Sequence, residues 1–68
     1  MPVTQDLVEE ATRHRIRSLR LARGWSLEEL ARRSHISAST ISRIETGRRR
    51  LALDHLVALA RALETTVD

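Results

Sequence analysis

The stretch from Ser37 to Arg50 reads Ser-Ala-Ser-Thr-Ile-Ser-Arg-Ile-Glu-Thr-Gly-Arg-Arg-Arg, a concentration of small hydroxyls and guanidinium groups. Nucleophilic and metal chemistry lack their usual partners here. The histidines, His14, His35 and His55, stand about twenty residues apart on separate segments, without the i, i+4 spacing of a helical metal site. There is no cysteine to act as a thiolate ligand, and no glycine-rich phosphate loop. The serines fall at positions where backbone capping already explains them. No catalytic, metal or cofactor site is expected, and an enzyme is rejected. What remains is non-covalent recognition. A guanidinium such as that of Arg43 can grip guanine O6 and N7 in a bidentate manner in the major groove of DNA. The hydroxyl of Ser39 can serve either base type, and the methyl of Ala38 or Thr40 can touch thymine. Arg48, Arg49 and Arg50 form the single charge run and suit phosphate oxygens.

Charge is distributed in the same sense. All twelve basic residues are arginine, and the formal net charge is +3. Residues 1–10 carry three acids and no Arg, residues 11–50 carry eleven Arg against three Glu for a net +8, and residues 51–68 carry one Arg against three acids. A positive field over one segment is the footprint expected for a polyanion. Arginines that merely decorate solvated helix faces would give the same count, so charge alone leaves the two readings even.

Two short amphipathic helices are needed to position these groups. Ser26 as N-cap and Glu29 at N3 form a capping box, in which the serine oxygen accepts the Glu29 amide and the carboxylate reaches back to the Ser26 amide. Trp25 and Leu30 are spaced to close a hydrophobic staple over the same turn, so a helix starts at Leu27 and runs to about residue 33. Ser37 caps a second helix over roughly 38–46, with Ile36 and Ile41 as its staple and Thr40 where a reciprocal Glu would stand. Gly47 supplies its C′ stop. Between them Ser34, His35 and Ile36 turn the chain sharply, and the middle position needs positive φ. His35 tolerates that region better than most non-glycine residues. Two capped helices joined by a three-residue break are the pattern of a helix-turn-helix.

The rest of the chain reads as scaffold. Residues 5–23 show Leu7, Val8, Ala11, Ile16, Leu19 and Ala22 at helical steps, with Thr4 as N-cap and Gly24 as stop. A last helix from about Leu53 to Glu64 carries Leu56, Val57, Ala60 and Leu63 on one stripe, and Ala52 stands where a capping side chain is expected. Leu27, Leu30, Ala31, Ile36, Ile41 and Ile44 complete the expected core. At 68 residues the whole chain, 1–68, is a single domain, with 1–12 as an extension of the first helix. One aromatic residue among aliphatic side chains fits an all-α protein better than a sheet. No apolar run is long enough to span a bilayer, and the acidic amino end is unlike a signal peptide, so a cytoplasmic location is expected.

The run from Ile16 to Leu63 resembles a Cro/cI-type helix-turn-helix domain, the XRE family of bacterial and phage repressors. The matching pieces are Ile16-Arg17-Ser18-Leu19-Arg20, Arg23-Gly24-Trp25-Ser26-Leu27, Glu29-Leu30-Ala31, Ile36-Ser37, Thr40-Ile41-Ser42-Arg43-Ile44-Glu45, Gly47-Arg48-Arg49, and Leu56 with Leu59-Ala60 and Ala62-Leu63. The wording Arg-Gly-Trp-Ser-Leu is similar to members that carry a C-terminal cupin sensor domain, which is absent from this chain. The resemblance implies a compact four-helix, truncated five-helix, lambda-repressor-like bundle, in which the tail Thr65-Thr66-Val67-Asp68 begins a fifth helix that the chain does not contain. It implies a transcriptional regulator, most often a repressor, bound to double-stranded DNA at a pseudo-palindromic operator as a homodimer, in the nucleoid. By resemblance the base contacts fall on Ala38, Ser39, Thr40 and Arg43. The phosphate contacts fall on Ser26, Leu27, Ser37, Ser42, Thr46, Arg48, Arg49 and Arg50, and Arg20 with Glu45 forms the family's ion pair. Leu27 replaces a frequent Gln and keeps only its amide for that contact, while His35 and Leu51-Ala52 replace the usual turn Gly and Pro-Ser. Two other readings use the same features: an antitoxin of this fold, with Leu7, Val8 and Ala11 facing a toxin protein, and a helical protein-interaction module.

Overall fold

A computed structural model describes residues 4–64 as four α-helices: α1 (Thr4–Ala22), α2 (Leu27–Ser34), α3 (Ala38–Thr46) and α4 (Leu53–Glu64). Among the described residues there is no strand. Helix α2 packs on α3 and α4, and α1 packs on α3 and α4, which closes a bundle around one core. That core is Ile16, Leu30, Ile36, Ile41, Ile44, Leu59, Ala62 and Leu63. Leu30, Ile41, Ile44 and Leu59 are the largest side chains shielded from solvent, and each buried aliphatic group contributes about 1.5–3 kcal/mol of transfer free energy.

The helix ends follow from local chemistry. Both glycines adopt positive φ and end their helices with the paired bonds of a Schellman motif. After α1, Trp25 N donates to Arg20 O at 3.1 Å and Gly24 N to Leu21 O at 2.9 Å. After α3, Arg48 N donates to Arg43 O at 2.8 Å and Gly47 N to Ile44 O at 3.2 Å. Helix α2 ends differently, with His35 at φ 60° and ψ 27° and its amide bonded to Ala31 O at 2.8 Å. The turn therefore holds a left-handed residue that carries a Cβ. The next amide, Ile36 N, is taken up by the buried Ser34 Oγ at 3.3 Å. Helix α4 has no capping side chain at Ala52, and Asp54 Oδ1 accepts the His55 amide instead.

Several expectations need correction. Thr4 lies inside α1 and is not its cap, and the helix ends at Ala22. The apolar stripe of α1 splits in two: Ile16 is buried and Leu19 half-buried, but Leu7 (54%) and Val8 (59%) near its start, with Ala11 and the terminal Ala22, stay exposed. On α4 Val57 faces solvent, and Leu59 and Ala62 fill the core in its place. The reciprocal half of the capping box is also missing. Ser26 Oγ accepts from Glu29 N at 3.0 Å, yet the Glu29 carboxylate turns to Arg32 and to Arg33, at 2.6 Å from Arg33 Nε. Two guanidinium groups offer charged donors that one backbone amide does not match. The expectation for Thr65–Asp68 lies outside the described residues.

Candidate nucleic-acid interface

The exposed face of α3 is built by subtraction. Ile41 and Ile44 go to the core, which leaves Ser39 and Arg43 exposed and Ala38, Thr40 and Ser42 half-buried on the outer side. At its start three hydroxyls form a cluster. Ser37 Oγ accepts the Thr40 amide at 3.2 Å and donates to Thr40 Oγ1 at 2.9 Å, and the Ser37 and Ser39 hydroxyls are 3.3 Å apart. Because Ser37 has a single proton and Thr40 takes it, Ser39 is the donor in the remaining contact. Thr40 then keeps a proton to offer outward, and Ser39 keeps lone pairs. The pair presents one donor and one acceptor from adjacent residues.

Arg43 is exposed, and among the described residues its guanidinium has no hydrogen bond or ion pair. The same holds for the side chains of Arg48 and Arg49, whose amides both bond to Arg43 O. Arg50 differs, since its Nη2 lies 3.4 Å from Glu9 Oε1. Thr46 turns its proton back to Ser42 O at 2.8 Å, so in this conformation its hydroxyl offers an acceptor and no donor.

The two helix starts are electrostatically unequal. Helix α2 carries Glu28 and Glu29 in its first turn, whereas the first turn of α3 has no acidic residue. An incoming phosphate therefore meets an unopposed dipole end and unpaired amides at α3, and two carboxylates near the amides of Leu27 and its neighbours at α2. The α2 pair is partly neutralised. Glu29 is held below the usual carboxylate range by hydrogen bonds from Arg32 first and then Arg33.

A clamp fixes α3 at its other end. Arg20 Nε and Nη2 donate to the two carboxylate oxygens of Glu45 at 2.8 and 2.9 Å, and Nη1 donates to Trp25 O at 2.9 Å. The side chains are 10% and 4% exposed, so this is a buried bidentate pair joining α1, α3 and the segment before α2. The hydrogen bonds to Glu45 push the Arg20 pKa above its ordinary value despite burial. Above the Trp25 ring lies Arg33, with its guanidinium carbon 4.1 Å from the ring centroid, and Arg23 at 5.8 Å. These stacking contacts were not foreseen, although Trp25 was the one aromatic ring a cation could choose. The Glu9 contact was not foreseen either, since its partners are more than forty residues away in sequence. Among the described residues no group of His, Asp and Glu side chains is arranged to hold a metal ion, and no helix is long and apolar enough to cross a membrane.

The geometry is that of a helix-turn-helix, and comparison with known families agrees. A family profile described as helix-turn-helix matches residues 16–68, most of the chain. The chain belongs to this family, of the Cro/cI or XRE type, and is a DNA-binding transcriptional regulator. Its ligand class is double-stranded DNA, and the family is a DNA-binding regulatory one. Searches of curated proteins and of solved structures each returned no match.

Proposed function

We propose that the protein is a sequence-specific repressor that inserts the amino-terminal half of α3 into the major groove of its operator. The observation that carries this reading is the outer face of α3: small side chains at Ala38, Ser39 and Thr40, one exposed guanidinium at Arg43, and no acid in the first turn. Small groups let the helix approach closely. Arg43 reads guanine O6 and N7, Thr40 donates to a base acceptor or presents its methyl to thymine, Ser39 accepts from an exocyclic amine, and Ala38 packs on thymine. Arg48, Arg49 and Arg50, the Ser42 hydroxyl and the amides beside Ser26, Leu27 and Ser37 bind phosphates and set the register. Thr46 joins that set on rotation of its hydroxyl away from Ser42 O. The Arg20–Glu45 clamp orients α3. Two copies pair on the DNA, with their α3 helices about 34 Å apart across a pseudo-palindrome.

Selection of bound sites from random duplex, followed by titration of Arg43→Ala on the selected site and on random DNA, tests this assignment. The variant is expected to lose roughly 1–3 kcal/mol on the selected site and little on random sequence. Equal losses on both would place Arg43 among the phosphate contacts. The exposure of Leu7, Val8 and Ala11 favours a second reading, an antitoxin of the same fold that also binds a toxin protein through α1. Under that reading, charged substitutions at Leu7 and Val8 abolish neutralisation of the toxin and leave operator binding intact.

A further inference from the structure

The acidic amino-terminal turns of α1 lie against the basic loop that follows α3. Asp6, Glu9 and Glu10 line one side of a shallow cleft, with Arg13, Arg49 and Arg50 among the residues that complete it. Glu9 is the acid that makes contact. Its Oε2 accepts the Leu51 amide at 2.7 Å, and its Oε1 accepts from Arg50 Nη2 at 3.4 Å. The Glu9 side chain is 18% exposed and that of Arg50 is 74% exposed. Glu9 also lies outside the residues matched by the family profile, so this contact belongs to the extension of α1.

The two carboxylate oxygens have different tasks. The short bond to Leu51 N ties the α3–α4 loop to α1, and being half-buried it persists. The bond to Arg50 is long and solvated, so a phosphate oxygen can replace it at little cost. Once that exchange occurs, the carboxylate stays in place, held by the Leu51 amide, with its charge beside the phosphate that Arg50 has taken.

We propose that Glu9 is a positioning residue of the DNA interface that also restrains phosphate binding, because it competes for Arg50 and leaves a negative charge at the contact. This inference rests on the reading of Arg50 as a phosphate contact. The test uses Glu9→Gln, which keeps an oxygen for the Leu51 amide and removes the charge, with binding to random-sequence duplex titrated across a range of salt concentrations. Glu9→Gln is expected to bind about two- to five-fold tighter at low salt, the range of an exposed ion pair. Its plot of log K against log salt should steepen by up to about one. Both effects should vanish in an Arg50→Ala background. Glu9→Asp withdraws the carboxylate by one methylene and should give a smaller gain in the same direction, which keeps the test open if Glu9→Gln folds poorly. An unchanged slope in Glu9→Gln, while Arg50→Ala alone still flattens it, would overturn the restraint and leave the interface reading standing. A gain that persists undiminished without Arg50 would also overturn it, by tracing the effect to diffuse charge. A slope that Arg50→Ala leaves unaltered in both backgrounds would remove the phosphate role of Arg50 itself, and the inference with it.

Discussion

Replacing Arg20 with Met removes three donors at once and keeps most of the aliphatic stem. Glu45 is then left with a carboxylate that is 4% exposed and has lost both of its charged hydrogen bonds, and Trp25 O loses its guanidinium donor. Breaking one side of a buried pair costs about 3–5 kcal/mol, because the surviving charge is desolvated without compensation. A domain of this length has roughly 3–10 kcal/mol in total, so Arg20→Met should stand close to the limit of folding. Urea melts followed by circular dichroism measure the loss. In thermal melts each kcal/mol corresponds to about 4–8 °C, so the midpoint should fall by about 12 °C or more. The double variant Arg20→Met with Glu45→Leu replaces the pair by apolar groups of similar bulk and should recover most of the stability. A loss below about 1 kcal/mol for Arg20→Met would show a pair no better than a surface one. A double variant as unstable as the single would show that the guanidinium matters for Trp25 O and packing, and not for the buried charge.

Other outcomes follow from the same geometry. His35→Gly should fold and be slightly more stable in urea melts, since relief of left-handed strain of roughly 1 kcal/mol is nearly offset by the entropy glycine adds to the unfolded chain, whereas His35→Val should be clearly less stable. Ser37→Ala removes the acceptor for the Thr40 amide and the partner of two hydroxyls, and should cost about 1 kcal/mol in the same melts. Glu29 has its folded pKa depressed by Arg32 and Arg33, so its contribution is full above the unfolded carboxylate pKa and is lost as pH falls through the folded value. Melting curves of Glu29→Gln and the parent should accordingly differ at neutral pH and converge in acid; a constant gap would refute the linkage.

The helix-turn-helix was legible because its signals are local. Ser26, Ser37, Gly24 and Gly47 act within a few residues of themselves, and His35 was identified as the left-handed position from its place between two caps. The core of α2 and α3 was legible for the same reason. What failed was whatever depended on where a helix lies relative to others. Leu7 and Val8 have the right spacing for a core stripe but stay exposed, because periodicity carries no information about which part of a helix its neighbours cover. Leu59 and Val57 exchange roles because a two-residue choice of stripe on α4 depends on which side faces α2 and α1. One local reading failed as well: Glu29 fits a capping pattern, yet its carboxylate takes the charged donors three and four residues further along the same helix. Arg20 and Glu45 were paired through family resemblance, since nothing local joins residues twenty-five apart.

The restraint on α3 at both ends separates two kinds of variation. Ser37 caps its first turn, the His35 turn joins it to α2, Arg20 tethers Glu45 near its finish, and Ile41 with Ile44 anchor the middle, so none of the side chains at 38, 39, 40, 42 and 43 belongs to the buried core. A library randomised at those five sites should yield mostly folded proteins with new target preferences. On the proposed reading of α3 as the DNA-contacting helix, it becomes an exchangeable reading head, retuned by drift or by design without re-engineering the domain that carries it.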